Sequence, residues 1–141
     1  MEVSILLLAD YANVEQGGKI NVMGIFDRIN APQFPVRHPS MHLVAKLNAE
    51  LGETSQERRI TIKLVDEDGR DLAVLLNQPV SVPPGVEGGR PEFRFIMQLR
   101  DVVFPNPGTY SFVVLVDNDF KKDLPLVVAQ IAPPEEPAQP A

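Results

Sequence analysis

A two-residue rhythm of apolar and polar side chains, broken at intervals by Gly, Pro and Asp or Asn, limits what this chain can fold into. Phe93, Phe95, Met97 and Leu99 alternate with Arg94, Ile96, Gln98 and Arg100. Tyr110, Phe112, Val114 and Val116 form a second ladder. A period of two sends successive side chains to opposite faces of a strand, so each stretch covers a core with one face only. Ladders joined by short turns predict an all-β chain: an antiparallel β-sandwich of about 7–9 strands with Ig-like or jelly-roll Greek-key connections.

Val3 to Val14 reads as the first strand, and its run Ile5-Leu6-Leu7-Leu8 predicts cover on both faces. Glu15 to Lys19 is a turn whose glycines accept positive φ. Lys19 to Asn30 returns as a second strand, with Ile20, Val22 and Phe26 on one face and Met23, Ile25 and Ile29 on the other. Gly24 within it marks a bulge or a close backbone approach. Three prolines between Ala31 and Ser40 predict a crossover loop. Strands follow at Met41 to Leu51, Arg58 to Asp66 (Ile60, Ile62 and Leu64 inward) and Leu72 to Leu76. The Asp66-Glu67-Asp68-Gly69 turn suits a type I′ hairpin. Gly52 and the Thr54-Ser55 pair argue against a helix near Glu50 to Glu57.

Pro79 to Pro91 reads as a second long loop with a short edge strand at Val80 to Val82. Glu92 to Arg100, Thr109 to Val116 and Leu124 to Ile131 complete the strands, with turns at Pro105 to Gly108 and Asp117-Asn118-Asp119. Tyr110 stands at the start of a late strand, where its hydroxyl can return to upstream backbone as in a tyrosine corner.

A length of 141 residues fits one domain, assigned to residues 1–132, with enough core to need no staples. Residues 133–141 contain only Pro, Glu, Ala and Gln and predict a disordered tail. With a net charge of -6 and only 13 Lys and Arg, the chain is a poor match for nucleic acid or an anionic membrane. The absence of cysteine excludes disulfides, thiolate nucleophiles and Cys-ligated zinc. Ile5 to Ala9 is too short for a membrane span, and Glu2 rather than a basic residue precedes it. The expected location is the cytoplasm.

Three stretches carry a family likeness: Leu7-Leu8-Ala9-Asp10-Tyr11-Ala12, the hairpin from Gly17 to Asp27, and Leu64-Val65-Asp66-Glu67-Asp68-Gly69. Together they resemble a family of small uncharacterised bacterial proteins, grouped as a domain of unknown function and expected to be β-sandwiches. The piece from Pro107 to Val114 is similar too, though many Ig-like domains share it. The resemblance covers most of residues 3–131. It implies a fold and a bacterial origin, and no activity or functional residue.

Residues in patterns that carry chemistry are sparse. Ser40 lies between His38 and His42, but Pro39 opposes a strand that would align Ser40 with His42. The four-residue spacing of the histidines aligns ligands on a helix, and this segment is not helical. Asp66 to Asp71 and Asp117 to Asp119 lack the spacing of a calcium loop, so a site would require the two turns to meet at one end of the sandwich. Asp10 and Asp27 lie in strands that look buried, with Arg28 or Tyr11 as candidate partners, but buried carboxylates are rare and both are expected at strand ends near solvent. Gly17-Gly18 and Gly88-Gly89 open no helix and are not phosphate cradles. No catalytic, metal or cofactor site is expected.

The expected function is therefore a non-catalytic binding or structural module, with a protein partner or self-association. The loops bearing Phe34, Val36, Val82 and Val86 are the candidate surface, with burial statistics favouring Phe34 as a plug at one end of the core. A carbohydrate-binding module is one alternative, weakened by the absence of Trp. A small hydrolase with its carboxylates at Asp10 and Asp27 is another.

Overall fold

The alternating stretches become nine strands in two sheets in a computed structural model that describes residues 1–53, 56–82 and 91–132. Val86, Gly88-Gly89 and the expected tail at 133–141 lie outside the described residues. The strands are β1 (Glu2–Val14), β2 (Ile20–Phe26), β3 (Arg28–Ala31), β4 (Val36–Asn48), β5 (Glu57–Val65), β6 (Asp71–Ser81), β7 (Glu92–Phe104), β8 (Gly108–Val116) and β9 (Asp119–Gln130). One sheet has the order β2-β1-β4-β7 and the other β3-β9-β8-β5-β6. All pairings are antiparallel except β3 with β9. A single 3-10 turn at Leu51–Glu53 is the only helical element among the described residues.

The ladders meet between the sheets. Met41, Leu43, Ala45 and Leu47 of β4 face Ile60, Ile62 and Leu64 of β5 and Phe112 and Val114 of β8 across one core, all of them fully buried. Phe93, Phe95 and Met97 pack against the same core but stay half-buried, because β7 is an edge strand. The ladder of β7 changes phase near its end. Asp101 adopts φ 52, and beyond it the even-numbered Val102 and Phe104 turn inward while Val103 points out.

Tyr110 makes the corner expected of it. Its hydroxyl donates to the Asn106 carbonyl at 2.7 Å and its ring lies edge-on to Phe104 at 4.9 Å. The hairpin turns divide into two kinds. Asp117 (φ 51) and Asn118 (φ 67) both take the left-handed region, which makes the β8–β9 link a two-residue type I′ turn. At Asp66 to Arg70 only Gly69 has positive φ, so the type I′ expectation is corrected to a three-residue loop with a glycine bulge. The turn from Glu15 to Lys19 repeats that arrangement with Gly18 as its left-handed residue.

Three boundaries also need correction. The expected strand from Lys19 to Asn30 breaks at Asp27, and its two parts join different sheets as β2 and β3. The expected crossover loop ends early, because β4 begins at Val36 and runs through Pro39. There β4 is paired with β7 alone, since its pairing with β1 stops at His42, and a residue without an N–H is tolerated on such a stretch. Pro79 is likewise inside β6, an edge strand, opposite Arg59.

Two outcomes follow. Tyr110→Phe keeps the ring and removes the corner bond, and it lowers the unfolding free energy by about 1–2 kcal/mol in urea titrations at unchanged slope. Asp117 accepts bonds from the Arg59 amide and the Arg58 guanidinium, each at 2.9 Å, and these hold its carboxyl below the ordinary 3.8. Its contribution is present above that value and is lost as pH falls through the depressed one. Asp117→Asn therefore loses less stability than the native chain when unfolding midpoints are followed from about pH 5 to about pH 2.

Candidate functional site

The first strand serves two neighbours in succession. Glu2 to Ala9 pair with β4, and Leu8 to Val14 pair with β2. Where the first partnership ends, Asp10 stands across from Gly24. Gly24 has φ +71, and a Cβ there would collide with the Asp10 carboxylate. Only glycine meets both conditions without strain. The expected bulge or backbone approach at Gly24 is thus corrected to a close approach by the Asp10 side chain, without a shift in register.

Beyond that point the ribbon of β1 and β2 turns back over its own sheet. A straight strand would carry Val14 roughly 30 Å from Ile5. Ile5 lies in register with Lys46, and Lys46 with Arg94. Yet Arg94 donates to the Gly18 carbonyl at the tip of the hairpin. A shallow cavity of about 380 Å³ has Ile5, Lys46 and Arg94 on one side and Gly17, Gly18, Lys19 and Ile20 on the other. The hairpin is thus an arm folded across the outer face of the β2-β1-β4-β7 sheet.

Val44 records the cover. It projects from the outer face of β4 between Leu7 and Ile96, and it has no exposed surface. Burying such a side chain stabilises the fold by about 1.5–3 kcal/mol. The second cover expected over Ile5 to Leu8 is therefore the chain's own arm. An ionic latch holds the tip: Glu92 pairs with Lys46 at 3.0 Å and with Arg94. Lys46 first and Arg94 second hold the Glu92 carboxyl below its ordinary 4.5.

The other face of the arm is open. Tyr11, Met23 and Ile25 are 48%, 66% and 66% exposed. Asn21 bonds to Asn13 and Glu15 across the ribbon and ties its distal half together. At the base of the arm, two clefts flank Phe26. One, of about 310 Å³, is lined by Asp10, Phe26, Arg28, Ile29, Asn30 and His38. The Arg28 guanidinium donates to Asn30 at 2.9 Å, and the His38 ring tilts against Phe26 at 5.8 Å. The other, of about 330 Å³, is apolar apart from Asp27 and includes Leu7, Ile25 and Leu124.

The four sheet edges differ in how they are protected. β3 has four residues, and β6 carries Pro79. β7 has the left-handed Asp101 and the charged Glu92, Arg94 and Arg100. Short length, proline, irregular backbone and charge are the usual guards of an open edge. β2, Ile20–Phe26, is seven residues long and has neither a charged residue nor a proline.

The residues singled out by sequence fall as follows. Asp10 and Asp27 are exposed, as expected of acids near solvent, and no carboxylate pair is buried there. His42 is buried, its Nδ1 3.2 Å from the Asp10 carbonyl and its ring edge-on to Tyr11. Ser40 accepts from Gln98 instead of meeting His42. The two acidic turns lie at opposite ends of β5, one following Val65 and the other bound to Arg58 and Arg59, so they form no joint calcium site. Among the described residues no group of three or more His, Asp or Glu is placed to hold a metal. No helix there is long and apolar enough to cross a membrane.

Phe34 and Val36 pack against the core and Val82 is buried, so these expected interaction residues face inward. Met23 and Ile25 are the most exposed of the large apolar residues, with Tyr11 beside them and Val74 and Phe120 exposed elsewhere. The signal in the sequence is the shared face of Met23 and Ile25 within an uncharged strand.

A family model matches residues 4–129, from β1 into β9 and through the whole arm. The chain belongs to DUF6941, a family of unknown function. No curated protein matches it. The expectation of an uncharacterised domain family thus holds for this DUF6941 chain.

Gly24→Ala places a side chain at positive φ against Asp10. It costs about 1–3 kcal/mol in urea unfolding. Gly17→Ala, at a glycine of ordinary φ with open space around it, serves as the control and stays within about 0.5 kcal/mol of the native chain.

Proposed function

We propose that this DUF6941 chain is a non-catalytic interaction module of the bacterial cytoplasm that takes a protein partner along β2 and the outer face of its arm. The observation that carries the reading is the contrast among edges: three carry guards, and β2 carries none while holding Met23 and Ile25 two-thirds exposed. A partner strand added there would gain main-chain bonds along the edge and apolar contacts beside it. The clefts on either side of Phe26 supply both polar and apolar ends for that contact. The separate engagement of Ser40 and His42 favours binding over nucleophilic chemistry.

We also infer an Ig-like Greek-key frame. The order β1-β4-β7 matches strands A, B and E, and β5, β8 and β9 match C, F and G. The Tyr110 corner at the start of β8 supports this assignment. In that frame β1 and β3 share the role of the first strand, and the arm is an addition that the sandwich does not need. An added element with an open edge is a reasonable seat for function.

Photo-crosslinking in the cells that make the protein tests the reading. A photoreactive residue at Ile25 is expected to give discrete adducts, and one at Val74, 57% exposed on β6, none. Equal labelling at both positions, or none at either, contradicts it.

A further inference from the structure

We propose that the partner on β2 is a second copy of the chain, joined by antiparallel pairing of the two β2 edges about a two-fold axis at Met23. This rests on the reading of the arm as an interaction surface and names its occupant. A two-fold contact requires a surface complementary to itself, and β2 has that property in one register. Centred on Met23, the register sets Asn21 opposite Ile25 and Val22 opposite Gly24 of the partner copy. It also brings Lys19 against the partner copy's Asp27 at each end of the seven-residue strand. Moving the axis to Val22 sets Lys19 against Ile25, and moving it to Gly24 sets it against Ile29.

The charges make that register meaningful. Each copy carries a net charge of -6, so two copies repel over most of their surfaces. β2 is neutral between its two ends, and those ends carry opposite signs. Neither Lys19 nor Asp27 has an ion-pair partner within the described residues. Opposite charges directly across a strand pair favour the pairing, and like charges oppose it. The axis stands perpendicular to the sheet, so Met23 and Ile25 of both copies fall on one side and form a continuous apolar strip. The contact joins two four-stranded sheets into one and removes the unguarded β2 edge of each.

Sedimentation velocity of the full chain over a concentration series tests the proposal. The expected result is a species of twice the 15.6 kDa monomer mass that dissociates on dilution. Met23→Lys sets two ammonium groups at the axis from an exposed position and gives a monomer that melts with the native chain diluted below its dimer range. Lys19→Asp and Asp27→Lys each weaken the dimer about tenfold, and the double variant restores it. A monomer at every concentration overturns the second copy as occupant; if the Ile25 crosslink to another protein persists, the interaction module itself stands. A dimer indifferent to Met23→Lys overturns the edge, and a double charge exchange that does not restore pairing overturns the register.

Discussion

The bend at Asp10 and Gly24 is the constraint on which the functional features depend. A strand of 13 residues that pairs with β4 through one half and with β2 through the other must either project a long ribbon into water or fold it back. At that point the Asp10 side chain occupies the space a Cβ on residue 24 would fill, and Gly24 takes φ +71, a conformation glycine adopts without strain.

The cover and the open edge have the same origin. Because the arm lies down on Val44, its inner face needs no other protein, and Arg94 with Glu92 and Lys46 holds the tip in place. Because the arm is attached along β1, its far strand is left with one free side. The core lies between the two sheets, and Phe26 of β2 packs against it. It rests on two layers of alternating side chains locked at the Tyr110 corner and at the Asp117 clasp on β5.

Much of this was legible in the sequence, and the reasons are local. Alternation in β4, β5, β7 and β8 identifies strands and their inward residues because a half-buried strand cannot be written otherwise. Tyr110 is recognisable because the corner bond spans only four residues. The break at Asp27 is not legible, since a period of two reads the same in one sheet as in the other. Pro39 and Pro79 signal loops until one knows that their strands lack a neighbour on one side. Phe34, Val36 and Val82 are apolar residues in proline-rich surroundings, and nothing local distinguishes an end plug from a docking surface. The fold of the arm is a contact between Gly18 and Arg94, 76 positions apart, and no pattern of short period encodes it.

The most direct test is an NMR measurement of proton–proton proximity between Gly18 and Arg94 in the folded chain. The account predicts cross-peaks from the Gly18 amide and α protons to the Arg94 side chain, together with contacts from Ala12 to the Val44 methyls. A hairpin tip whose cross-peaks stay within residues 13–21, with Val44 seeing only its neighbours in β1 and β7, would contradict it.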